Sequence, residues 1–199
     1  ALTAGLPVTV SGMTIDRQCS SGLMAVATAA KQSMYDGQDV AIGGGLESIS
    51  LVQNEHMNLH RMVDEQVMLK APNIFMPMLQ TAEIVGQRYG VTREQMDELG
   101  AESQARTHAA YEAGKYDDEL VDVTCKRTVW SKETGEASEV EATVSKDEGL
   151  RATTAEALAG LKTVIEGGTI TAGNASQLSD GSSAQLLMDS KVAEREGLE

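Results

Sequence analysis

The sequence predicts an α/β chain, with a mostly parallel sheet flanked by helices and an inserted, largely helical domain. Three observations predict it. Strand-type and helix-type hydrophobic periods alternate between residues 8 and 45. A long acidic stretch with helical spacing then interrupts that alternation. Apolar, β-rich segments return after residue 168.

In chain order, Val8 to Ile15 is rich in β-branched residues and bounded by Pro7 and Asp16, which predicts a strand. Residues 20–36 follow, with Leu23, Ala27, Ala30 and Met34 in steps of four, three and four. That spacing lays one apolar stripe along a helix, and Gly37 fits its C-terminal cap. Asp39-Val40-Ala41-Ile42 predicts a short buried strand ending at Gly43-Gly44-Gly45. Strand, helix, strand at this spacing is a βαβ unit, and such units build parallel sheets.

From about residue 50 the chain becomes irregular and Met-rich through Pro77. Helices resume at Thr81 and at Thr92, where Thr92 and Gln95 form a capping-box pattern, and the second should end near Ala113 before Gly114. Val121 to Val129 and Val140 to Val144 flank a Thr134-Gly135 turn and predict a hairpin. Thr154 to Val164 reads as a helix and Thr169-Ile170-Thr171 as a short strand. Ser183 to Met188 reads as a strand, and a terminal helix starts near Asp189. The organisation expected is a βαβ beginning at 1–49, an insertion at 50–168 and a return to the sheet at 169–199.

Composition narrows the function classes. The 199 residues are 41% hydrophobic and 23% charged, which excludes wholesale disorder. Aromatics are only 3%, so Ala, Gly, Ser and Met must fill the interior. The 16 basic and 30 acidic side chains give a net charge of −14, which argues against a nucleic-acid-binding face. Residues 94–148 carry 15 of the acidic groups against 6 basic ones, and this stretch reads as a solvated face. No apolar run reaches the ~18 residues that span a membrane. Two distant cysteines make neither a disulfide framework nor a zinc site and point to a reducing, cytoplasmic setting. The chain opens at Ala1 without Met and reads as a fragment of a longer protein.

Cys19 is the first candidate for chemistry. It lies where the predicted strand ends and the predicted helix begins, followed by Ser20-Ser21-Gly22. The positive end of a helix dipole and its unpaired N–H groups favour a thiolate nucleophile. The same N–H groups can stabilise an oxyanion, and the small residues let a carbonyl approach. A buried structural thiol is the alternative. Cys125, on a predicted strand between Thr124 and Lys126, reads as structural. Gly43-Gly44-Gly45 lacks both dinucleotide-fingerprint and phosphate-loop spacing. His56 and His60 are four apart but have no third metal ligand, so no metal is expected, and His108 reads as a solvated side chain.

Three segments carry a family resemblance. Met13-Thr14-Ile15-Asp16-Arg17-Gln18-Cys19-Ser20-Ser21-Gly22-Leu23 resembles the nucleophile segment of the thiolases, acyl-CoA:acyl transferases that make or split 3-ketoacyl-CoA. Ala41-Ile42-Gly43-Gly44-Gly45-Leu46-Glu47-Ser48 resembles the glycine-rich strand end that follows. Thr171-Ala172-Gly173-Asn174-Ala175-Ser176-Gln177-Leu178-Ser179-Asp180-Gly181 is similar to the segment returning from the thiolase loop domain. Thr81-Ala82-Glu83 and Asp117-Asp118-Glu119 fit that domain, and the resemblance covers the chain in collinear order.

The resemblance implies that Cys19 accepts the acyl group and that Ser176 contacts the pantetheine arm of CoA. It places Arg151 near the nucleotide end and Met78 along the acyl and pantetheine channel. Acyl-CoA and CoA are then substrates, no cofactor is needed, and the assembly is a homodimer or homotetramer. The resemblance also implies strands before Ala1 and a second half after Glu199. That half would bring an Asn-Glu motif, a Gly-His-Pro histidine that activates the nucleophile and a Cys-x-Gly-Gly-Gly acid/base cysteine. No histidine in this chain precedes Pro, and Cys125 lacks the glycines. The expectation is therefore a thiolase parent acting in fatty-acid β-oxidation or its reverse, with this segment alone inactive. A non-catalytic remnant that binds CoA or a partner, and a β-ketoacyl synthase-like enzyme, are the alternatives.

Overall fold

The computed structural model describes residues 1–198. The chain divides into two compact units. One holds Ala1–Leu59 with the chain from Leu178 onward; the other is His60–Gln177.

The first unit is built on helix α1, Ser21–Tyr35, and strands β1, Val40–Glu47, and β4, Gly181–Met188. Gly37 follows α1 with φ +72°, the left-handed conformation that ends many helices. β1 and β4 pair antiparallel in a two-stranded sheet, from Val40 opposite Met188 to Glu47 opposite Gly181. The expected strand end at Gly43 is instead strand interior. There α1 and β4 pack so close to β1 that side chains do not fit. A Cβ on Gly43 would sit 2.8 Å from Val26 Cα, and one on Gly44 would collide with the Ser183 carbonyl. A short helix, α2 (Ile49–Val52), follows β1, and Asp180 accepts the Ser50 N–H at 3.1 Å and the Ser48 hydroxyl at 3.1 Å. Helix α7, Ser190–Arg195, is capped by Asp189, whose carboxylate accepts the Lys191 N–H, and it buries Val192.

Two expectations fail here. Residues 8–15 form no strand but a turn followed by a run without regular structure. A β-rich segment becomes a strand only where a ladder partner takes its N–H and C=O groups. Among the described residues β1 pairs with β4, and 8–15 pairs with nothing. The expected βαβ unit is therefore not formed, and both sheets described are antiparallel ribbons of two strands.

The second unit holds helices α3 (Glu65–Lys70), α4 (Met78–Tyr89), α5 (Arg93–Glu112) and α6 (Ala155–Ala159), with the hairpin β2 (Val123–Trp130) and β3 (Ala137–Val144). α5 starts at the capping box read from the sequence: Gln95 N donates to Thr92 Oγ1 at 3.3 Å, and Thr92 N donates to Gln95 Oε1 at 2.9 Å. α6 is shorter than the expected 154–164. It stops at Gly160, and the Arg93 guanidinium takes the carbonyls of Leu158 at 2.8 Å and Leu161 at 3.2 Å. Thr169-Ile170-Thr171 is not a strand; it contributes one bridge, Thr163 with Thr171.

Apolar burial is sparse. Among the described residues the buried apolar side chains are Ala29, Leu158, Ile170 and Val192, while Leu23, Met34, Ile42, Leu46 and Leu186 stand exposed in the first unit. No helix among the described residues is long and apolar enough to cross a membrane.

Candidate active site

Cys19 sits in a single 3-10 turn, Gln18–Ser20, that leads directly into α1. The residue before it, Gln18, has φ +53°, in the left-handed region. A non-glycine residue held there costs on the order of 1–3 kcal/mol. Short polar side chains hold the turn. Asp16 Oδ1 accepts the Gln18 N–H at 3.0 Å. Ser20 Oγ donates to the Arg17 carbonyl at 2.9 Å, and Ser21 Oγ donates to the Gln18 carbonyl at 2.7 Å and accepts the Arg17 N–H at 2.9 Å. The outcome is an exposed, unpaired thiol at the start of a 15-residue helix that no side chain caps. An electrophilic carbonyl reaching this turn meets sulfur and helix N–H groups together.

Cys125 lies on β2 opposite Ala142, and β2 is exposed at every position, so its thiol is not a core group. The two cysteines therefore differ in backbone setting, not in exposure.

The other three site residues lie in the second unit, and all are exposed. Met78 is the first residue of α4, after the N-cap Pro77. Arg151 is anchored through its backbone, whose N–H donates to Gln104 Oε1 of α5 at 2.9 Å. Ser176 directly follows a turn closed by the Ala175 N–H on the Thr171 carbonyl at 3.1 Å, and the neighbouring Gln177 donates to the Gly149 carbonyl at 3.1 Å.

That turn is tied to both long helices. Glu83 of α4 accepts the N–H groups of Thr169 at 2.8 Å and Ile170 at 2.9 Å through Oε1, and the Thr169 hydroxyl at 2.7 Å through Oε2. The Ile170 N–H foremost, against burial that pushes the other way, and then the Thr169 hydroxyl and N–H hold its carboxyl below the usual carboxylate range. Asn174 donates to Asp97 Oδ1 of α5 at 2.9 Å and to the Thr169 carbonyl at 3.2 Å, and accepts the Thr171 N–H at 2.8 Å. Asp97 is 2% exposed and is paired on its other oxygen with Arg93 at 2.7 Å. Through Glu83, the turn that leads to Ser176 is joined to the helix that Met78 opens.

Nothing local in the sequence marks Glu83, Asp97 or Asn174 as a functional residue. The i,i+4 spacing of Arg93 and Asp97 is visible along α5, but nothing local links Asp97 to Asn174, 77 positions away. Among the described residues no group of three or more His, Cys, Asp or Glu side chains is placed to hold a metal ion. His56 lies 3.7 Å from Glu55 on the surface.

The fold and site together define an α/β chain with an exposed thiol on a turn at a helix start. Residues 1–191 match the family described as thiolase, N-terminal domain. The chain belongs to the thiolase family. It is 42% identical over its full length to a peroxisomal 3-ketoacyl-CoA thiolase 2 of Arabidopsis thaliana, covering 42% of that protein. It is 41% identical over 98% of its length to a 3-ketoacyl-CoA thiolase of Bacillus subtilis, covering 50% of it. Among solved structures, the dimeric peroxisomal thiolase of Saccharomyces cerevisiae superposes with a TM-score of 0.77 at 30% identity, over 99% of this chain and 48% of that one. The Bacillus anthracis acetyl-CoA acetyltransferase gives 0.73 at 37% identity, over 100% and 50%. The chain thus spans about half the length of the curated relatives it matches. The family match favours thiolase over the β-ketoacyl synthase reading.

Proposed function

We propose that this chain is the nucleophile-bearing part of an acyltransferase that cleaves or forms 3-ketoacyl-CoA. The observation that carries the reading is the Cys19 turn: an exposed thiol, behind a left-handed Gln18, at the start of α1. In the cleavage direction the Cys19 sulfur attacks the 3-keto carbonyl. The bond between C2 and C3 breaks, its electron pair leaves as the acetyl-CoA carbanion, and that carbanion takes a proton. The acyl group then stands on sulfur as a thioester, and the thiol of CoA takes it up, returning Cys19. The Cys19 N–H polarises the acyl carbonyl.

Ser176 meets the pantetheine arm, Arg151 the nucleotide phosphates, and Met78 lines the channel. The hydrogen-bonded segment from Thr169 to Ala175, directly before Ser176, supports the Ser176 assignment because it fixes the backbone that leads to it. CoA thioesters are substrates, and the scheme invokes no cofactor or metal. A fatty-acid β-oxidation role agrees with the names of the relatives. The partner is a second copy of the same protein, as in the dimeric yeast relative, with a dimer of such dimers as the larger form. The compartment is a reducing one; the cytoplasm is the simplest assignment for two exposed, unpaired cysteines, and the plant and yeast relatives are peroxisomal by name.

The mostly parallel sheet and the inserted helical domain belong to the same proposal. β1 and β4 each pair on one edge among the described residues, which leaves edges for further strands, and the second unit contains α4 and the 20-residue α5, which is longer than α1. The test is thiolysis of acetoacetyl-CoA by the full-length protein and its Cys19→Ala variant. Loss of turnover with CoA binding retained supports the reading, and unchanged turnover contradicts it.

A further inference from the structure

A buried polar cluster of the second unit is bonded on every side the Asp97 carboxylate offers. It runs into the turn that directly precedes Ser176: Arg93 to Asp97, Asp97 to Asn174, and Asn174 to both Thr169 and Thr171. Asp97 has both oxygens engaged, one by the guanidinium and one by the Asn174 amide, at 2% exposure. Thr171 is fully buried and its hydroxyl accepts the Gly173 N–H at 3.2 Å, while the Ala175 N–H returns to the Thr171 carbonyl at 3.1 Å. The backbone is seated just as closely. A Cβ on Gly173 would lie 2.5 Å from Leu158 Cδ2, and one on Gly100 of α5 would lie 2.9 Å from the Gly173 carbonyl. Each backbone group from Thr169 to Thr171 that these bonds fix reduces the freedom of a residue only a few positions before Ser176.

A buried carboxylate is an expensive way to hold a turn in place. Removing it from water costs several kcal/mol, which the Arg93 pair and the Asn174 bond must offset. What it provides is direction. Its two oxygens are committed to two different partners, so the Asn174 amide has one orientation, with its nitrogen toward Asp97 and its oxygen toward the Thr171 N–H.

We propose that Asp97, acting through Asn174, is a positioning residue that presents Ser176 to the pantetheine arm of CoA. The inference rests on the Ser176 reading given above. Asp97 touches no substrate; it sets the turn from which Ser176 reaches one.

The test is a double-mutant cycle on CoA binding by the full-length protein, measured by calorimetric titration. The variants are Asp97→Asn, Ser176→Ala and the pair together. An Asn at 97 keeps the shape but sets an amide N–H against either Arg93 or Asn174. Ser176→Ala alone should raise the CoA Kd about fivefold, the loss of one neutral hydrogen bond. Asp97→Asn alone should raise it by a similar factor, and the pair should be no weaker than either single variant. A protein that merely loses stability gives independent, multiplying effects, or none once folded. Should Asp97→Asn not fold, Asn174→Ala cuts the same link while keeping the Arg93–Asp97 pair, and the same cycle applies. Multiplying effects, or an unchanged Kd in the Asp97 or Asn174 variant, overturn the proposal while Ser176 keeps its role. An unchanged Kd in Ser176→Ala overturns the Ser176 reading itself and this inference with it.

Discussion

Glu83 Oε1 accepts the Ile170 N–H at 2.9 Å, although the two residues stand 87 positions apart. The same oxygen takes the Thr169 N–H, so one carboxylate on α4 holds two consecutive backbone donors. Glu83→Ala would leave both donors without a partner in a mostly buried site. The second unit should lose about 3 kcal/mol, read as a lower denaturant midpoint.

The same carboxylate makes stability depend on pH. Its carboxyl is held below the usual range in the folded chain. Its contribution is therefore complete above the ordinary glutamate range, near pH 4.3, and is lost as pH falls through the lowered value. Glu83→Gln should lower stability at pH 7 and flatten the acid limb of the stability–pH profile. Parallel acid limbs in the two proteins would contradict this assignment.

The two cysteines offer an internal control. Both are exposed, so access does not separate them. Cys19 lies at the start of a long helix, where negative charge is stabilised, and Cys125 lies mid-strand. A small alkylating reagent near neutral pH should label Cys19 several times faster, read by peptide mass mapping over time. Equal rates would remove the physical basis for a nucleophile at 19.

Legibility in the sequence followed the range of the interactions. α1 was expected at 20–36 and is found at Ser21–Tyr35, because a stripe and a following glycine are local signals. The capping box at Thr92 and the hairpin around Thr134-Gly135 are local in the same way. The segment 8–15 has strand composition, yet strand formation depends on a partner that its own residues do not specify. The Cys19 turn was legible as a thiol before a helix, while the left-handed Gln18 was not. Its positive φ is unusual for glutamine and follows from the side-chain bonds of Asp16 and Ser21. The links from Glu83 to Ile170 and from Asp97 to Asn174 carry no sequence signal, since each joins residues from distant segments.

Gly44 gives a packing test within the first unit. Gly44→Ala drives a Cβ into the Ser183 carbonyl, which is backbone and cannot rotate away. The β1–β4 pairing should shift or open, at a cost of about 1–3 kcal/mol. Hydrogen exchange at β1 and β4 amides should accelerate while the β2–β3 hairpin is unaffected. Unchanged protection along β1 would contradict the packing described.

CoA binding separates the two polar site residues by their physics. A contact between Arg151 and phosphate is electrostatic, so Arg151→Ala should weaken binding more at low salt than at high salt. Ser176→Ala removes a neutral hydrogen bond, and its effect should hold at both salt concentrations. Titration of the full-length variants at two ionic strengths decides, and unchanged affinity in both would contradict the placement of CoA on the second unit.

The most direct test of the central claim is to trap the acyl group. The full-length protein is mixed with acetyl-CoA, quenched in acid, and its intact and peptide masses are recorded. One acetyl group should appear per chain, on the peptide holding Cys19, and it should disappear on addition of free CoA. An acetyl group found on Cys125, or turnover that proceeds with Cys19 never acylated, would contradict the account.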